Sequence, residues 1–121
     1  MKSSIFIAII FGLFMLTLIE GYTVVIQNKV TKGTDTMVAA TYGDEGGNFN
    51  WWHTNDAIVE NFAEAHSGYN ITIPDNVTTY WLVFGVDWST EQDKWRGPFT
   101  NNGDQCWHFH GTLDDWKIYG C

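Results

Sequence analysis

Positive charge is what this sequence has least of: 6 Lys and Arg stand against 14 Asp and Glu, a formal net charge of −8. A surface with that balance repels nucleic acid and anionic lipid, and no run of basic residues along the chain offers a local exception. Patterns that carry chemistry are also missing. There is no CxxC, no HExxH, no Cys/His cluster and no GxSxG, so redox, zinc and serine-hydrolase chemistry have no motif to rest on. No segment repeats at a fixed period, and no linker divides the chain.

The N-terminus carries Lys2 and then an apolar run from Ile5 to Ile19 broken only by Gly12 and Thr17, the profile of a signal peptide. Its 15 residues fall short of the about 20 that span a hydrocarbon core, which makes a signal anchor the weaker reading. We expect a signal peptide over residues 1–21, cut near Gly21, although Ile19 fits poorly at the third position before that cut. Residues 22–121 then form a single secreted domain with five cations and thirteen acids, still −8. The two cysteines, Cys106 and Cys121, read as a disulfide in an oxidising compartment. Closing a loop of about 15 residues contributes roughly 3 kcal/mol through the unfolded state. Asn70-Ile71-Thr72 and Asn76-Val77-Thr78 match the N-glycosylation pattern and would be exposed in a eukaryotic secreted protein.

Tyr80 to Trp88 is the most apolar stretch of the mature chain and reads as a central strand, with Leu82, Phe84, Val86 and Trp88 on its buried face. Thr23–Val30 and Met37–Tyr42, either side of the turn residues Thr31 to Asp35, predict a first hairpin. After the glycine- and acid-rich loop Gly43–Asn48, Thr54-Asn55-Asp56 supplies capping residues. Ile58, Val59, Phe62, Ala63 and Ala65 then recur at helical spacing, which predicts one short helix ending by Gly68. Tyr69–Ile73 alternates as a strand, Lys94–Asp104 reads as a loop, and Cys106–His110 with Trp116–Tyr119 forms a last hairpin. The expected fold is mainly β: a small antiparallel β-sandwich, or flattened barrel, with one short helix and a C-terminal hairpin stapled by the disulfide.

Seven tryptophans are more than a domain of this size absorbs in its core, since each brings about 150 to 250 Å² and an N–H to satisfy. Trp95 and one of the adjacent Trp51 and Trp52 flank glycine-rich or polar loops and are the candidate ligand-binding aromatics; the competing reading makes all seven structural. His108 and His110, two apart in a strand, share one face and have a spacing that metal sites use. The plainer reading puts them on a solvent face with Trp107 and Phe109 inward. Glu60 with Glu64, and Asp114 with Asp115, can be drawn as carboxylate pairs, but solvated surface acids are the default. The loops Asp44–Asn50 and Asn101–Asp104 hold oxygens that Ca²⁺ uses without EF-hand spacing, so no cofactor is expected.

Phe84-Gly85-Val86-Asp87-Trp88, with Lys94-Trp95 downstream, resembles the strand and loop of actinoporin-like fungal fruit-body lectins, and Trp116-Lys117-Ile118-Tyr119 is similar to the end of an actinoporin. The resemblance implies a β-sandwich that binds sugars or phosphocholine headgroups. The chain departs from it in its cysteine pair and in having no amphipathic helix after the signal, which argues against pore formation. The expectation is a secreted, non-enzymatic, lectin-like module for neutral carbohydrate or a zwitterionic lipid headgroup. A secreted effector or toxin acting through protein or membrane contacts is the alternative, and a small hydrolase the third reading. Nucleic acid is not an expected partner.

Overall fold

The computed structural model describes residues 21–51 and 57–121, all of it strand, turn and loop. The signal segment expected over residues 1–21 lies, apart from Gly21, outside the described residues, as do Trp52 and the capping residues Thr54 to Asp56. Eight strands follow one another: β1 Thr23–Val30, β2 Asp35–Thr41, β3 Ala57–Glu64, β4 Gly68–Thr72, β5 Thr79–Val86, β6 Lys94–Thr100, β7 Gln105–Thr112 and β8 Asp115–Gly120. They build two four-stranded sheets, β4-β1-β7-β8 (sheet A) and β3-β2-β5-β6 (sheet B), packed face to face as a sandwich and not closed into a barrel.

Alternation decides which faces meet. Val24, Ile26 and Val30 of β1, Val38 and Ala40 of β2, and Tyr80, Leu82, Phe84 and Val86 of β5 point between the sheets, where Phe109, Trp116 and Ile118 join them. Phe84 lies at the centre, with ring centroids 5.6 Å from Trp107 and 5.8 Å from Phe109. Fully burying side chains of this size contributes about 1.5–3 kcal/mol each before entropy is counted. As the run Tyr80–Val86 suggests, β5 is an interior strand, flanked in sheet B by β2 and β6.

Three expectations are corrected. No helix forms over 57–65: the segment is β3, which pairs antiparallel with β2 from Asp35↔Glu64 to Thr41↔Ala57. Its helical spacing of apolar residues loses to the open edge of β2, whose backbone N–H and C=O groups would otherwise go unpaired beside a buried surface. The first two strands do not form a hairpin. Each has both edges occupied, β1 by β4 and β7, β2 by β3 and β5, so the turn at Thr31–Thr34 crosses from one sheet to the other. The sandwich itself is mainly antiparallel, as expected, with one parallel pair, β1 with β7. Lys94–Thr100, expected as loop, is β6 on the edge of sheet B.

Trp88 does not join the core. The strand stops at Val86, Asp87 donates its N–H to Asp35 O at 3.0 Å, and Trp88 adopts φ 68°, which turns its ring out to 88% exposure. Among the described residues, Trp116 is the tryptophan that is fully buried instead. It is held by Nε1–H to Ser89 Oγ (3.1 Å), by its backbone N–H to Glu91 Oε2 (2.7 Å) and by the Lys94 ammonium 4.5 Å above its ring. The loop after β5 is thereby tied to the last hairpin, whose β7–β8 pairing and Cys106–Cys121 disulfide are as expected.

Candidate functional site

The outer face of sheet B is not simply polar. Ala39 and Val83 point outward there and are fully buried, because the loop after β2 folds back over them with Phe49 and Trp51. Asp93 holds that cover down. Its Oδ2 accepts from Phe49 N–H (2.8 Å) and from Trp51 Nε1–H (2.9 Å), and its own N–H donates to Asn48 Oδ1 (3.0 Å). Loss of water around the Asp93 carboxyl raises its pKa, and the two donated hydrogen bonds pull it part of the way back. Gly85 of β5 lies beneath: a Cβ there would come within 3.0 Å of Trp51 Cζ2 and 2.6 Å of Asp93 Oδ1, so glycine is what lets the indole lie against the strand.

Beside this cover opens a cavity of about 280 Å³ lined by Asp35, Met37, Trp51, Glu60, Asn61, Phe62 and Asp87. Strand register explains the set. Met37 pairs with Phe62 and Ala39 with Glu60, so all four side chains stand on the outer face. Phe62 is 73% exposed, and Trp88 stands over an adjoining hollow that shares Met37, Trp51 and Asp87. Two large aromatics are thus presented to solvent beside three carboxylates. The Glu60 carboxyl is raised above its ordinary range by partial burial. A non-glycine residue with positive φ costs about 1–2 kcal/mol, and here the strained residue is the one that displays its ring.

The candidate residues disperse over the fold. Trp51 forms one wall of the cavity, Trp52 lies outside the described residues, and Trp95 is half-buried away from the cavity, donating Nε1–H to Gly47 O at 2.9 Å and packing on Phe49. Asn70 and Asn76 are both exposed. Asp114 accepts from the backbone and hydroxyl of Thr90, Asp104 accepts from Thr23 N–H, and Asp44 accepts from Gly46 N–H, so acids of the candidate loops serve local hydrogen bonds. Among the described residues no three His, Cys, Asp or Glu side chains converge as metal ligands would. His108 and His110 lie on the outer face of sheet A, ring centroids 4.9 Å apart, with Phe109 inward and Trp107 packed against the core.

Sequence reading passed over Phe62, Met37, Asp35 and Asp87. Phe62 was legible only once 57–64 is a strand, for it then shares a face with Glu60 and Glu64.

No protein-family model matches the chain, and no curated protein matches its sequence. Among solved structures its fold has a weak likeness to part of pneumolysin (TM-score 0.42, 10% identity) and part of listeriolysin O (TM-score 0.42, 13% identity). Each match covers 85% of this chain but only 24% and 22%, respectively, of the other, and the likeness is one of β-rich architecture.

Proposed function

We propose that this is a secreted, non-enzymatic binding module that takes a neutral carbohydrate at the aromatic and acidic surface of sheet B. The observation that carries the reading is the cavity in which Trp51 and Phe62 meet Asp35, Glu60 and Asp87, with exposed Trp88 beside it. Ring faces stack on sugar rings, and carboxylates accept hydrogen bonds from sugar hydroxyls. The intramolecular disulfide is compatible with secretion. Binding is favoured over turnover because Glu60, whose carboxyl partial burial raises, is itself exposed, unlike the enclosed acid of a glycosidase.

A zwitterionic lipid headgroup is the second reading, favoured by the exposure of Trp88 and Phe62. It would have to enter ammonium-first, since the carboxylates oppose a phosphate. A neutral-glycan array run beside zwitterionic vesicles separates the two. The carbohydrate reading expects binding on the array that falls at least tenfold in Phe62→Ala and in Trp88→Ala while both variants keep the parent Tm. Vesicle binding without glycan binding supports the headgroup. Silence in both assays removes the binding-module reading in favour of a protein-directed effector.

A further inference from the structure

The fold assembles something the linear sequence hides. On the outer face of sheet A the parallel pairing of β1 with β7 sets Lys29 beside His110, and the β7–β8 hairpin sets His110 beside Lys117. Adjacent strands lie about 4.8 Å apart, so these three side chains form a row about 10 Å long across three strands. All three are exposed. The next row along the strands is Gln27, His108 and Tyr119, with the His108 ring 5.5 Å from the Tyr119 ring.

Like charges directly across strands are destabilising, so packing alone does not account for this row. The groups that face it are Lys29 from β1, His108 from β7, and Lys117, Tyr119 and Asp115 from β8, with His66 bordering the same hollow as Gln27 and Lys29. Asp115 is the single carboxylate among them, and it meets Lys117 at 3.5 Å with both side chains largely exposed. Such a pair contributes little and leaves Lys117 free to turn to another anion. His108 Nδ1 is buried without a hydrogen-bond partner.

We infer that this face docks an anionic polysaccharide, whose sulfate or carboxylate groups lie along Lys29, His110 and Lys117 and whose sugar hydroxyls meet Gln27 and Tyr119. The net charge of −8 does not forbid it. The acids of the cavity stand on the opposite outer face of the sandwich, and salt around the molecule largely screens exposed charges farther apart than about 8 Å. Charge complementarity of a flat, open row selects a repeating polyanion over a small enclosed ion. Tyr119 alone offers too little stacking surface for a nucleic acid strand, which is held by successive aromatics.

The test is retention of the full mature protein on immobilised dextran sulfate, with a DNA column in parallel. Because imidazole gains positive charge as the pH falls, retention at pH 5.5 should be at least fivefold stronger than at pH 7.5. Lys29→Ala with Lys117→Ala should weaken it tenfold or more, and His110→Ala should abolish most of the pH dependence. Glu45→Gln, which changes net charge on an exposed loop without touching this face, should leave retention unchanged. No retention at either pH, equal retention on DNA, or an increase in Glu45→Gln matching the loss in the lysine variant would overturn the proposal. Since the neutral-glycan site lies on the other sheet, Phe62→Ala should bind dextran sulfate normally, which keeps the two readings separately testable.

Discussion

The two outer faces of this sandwich are built from strands of similar length, yet one is covered and the other bare. On sheet B the outward positions include Ala39 and Val83, apolar residues that need shielding, and the loop carrying Phe49 and Trp51 supplies it. On sheet A the outward residues of β1, β7 and β8 include Gln27, Lys29, His108, His110 and Lys117, which need no cover. A cover over part of a flat sheet leaves a step at its rim, and the acidic cavity is that step. Two kinds of surface therefore arise from one alternation rule, apolar outward residues making a concave acidic site and polar ones a flat basic one.

The largest expected effect treats both faces alike. Phe84→Ala removes a ring that touches Trp107 and Phe109 between the sheets, and should cost about 3–5 kcal/mol in a denaturant titration. A loss below about 1 kcal/mol would mean that the sheets do not share this core. Next comes a change confined to sheet B: Asp93→Ala strips two donors of a charged acceptor and should cost about 1.5–3 kcal/mol, whereas Asp93→Asn, which keeps an acceptor oxygen, should cost clearly less. Equal losses in the two variants would show that the hydrogen bonds do not hold the cover.

Trp88→Gly should raise stability by about 1 kcal/mol, because glycine adopts φ 68° without the strain an indole-bearing residue stores, while ligand binding at sheet B falls. A destabilised Trp88→Gly would mean that the ring packs in solution. The smallest effect concerns sheet A and pH. The pKa of His108 is lowered from the ordinary 6.5 first by desolvation, then by His110 and Lys29. The unfolded chain thus binds a proton more readily than the folded one, so this contribution to stability is complete above about pH 6.5 and is lost as the pH falls through the folded-state value. Lys29→Ala should change stability at pH 7.5 by less than about 0.5 kcal/mol and flatten the decline toward pH 5. An unaltered pH profile by thermal melts would separate Lys29 from His108.

How much of this was readable in advance depends on how far apart the cooperating residues lie. The alternation of Leu82, Phe84 and Val86, the last hairpin and the Cys106–Cys121 bond are local patterns, and each is present as expected. The segment 57–64 was ambiguous because Ile58, Val59, Phe62 and Ala63 suit a helix period, and only the open edge of β2, a feature of the assembled sheet, makes it a strand. Trp88 sits at the end of an apolar run that ends two residues earlier in the ladder than in the sequence. The cavity and the cation row were invisible because they depend on register between distant strands: β2 with β3 for Met37 and Phe62, β1 with β7 for Lys29 and His110.

The division of labour between the two faces is tested most directly by a backbone and indole amide NMR titration of the protein with a neutral oligosaccharide identified on the array. The account predicts shifts concentrated at Gly85, Asp87, Phe62 and the Trp51 indole N–H, with Gln27, His108 and Lys117 unmoved. Shifts centred on His108 and Lys117, with the Trp51 indole unmoved, would contradict it.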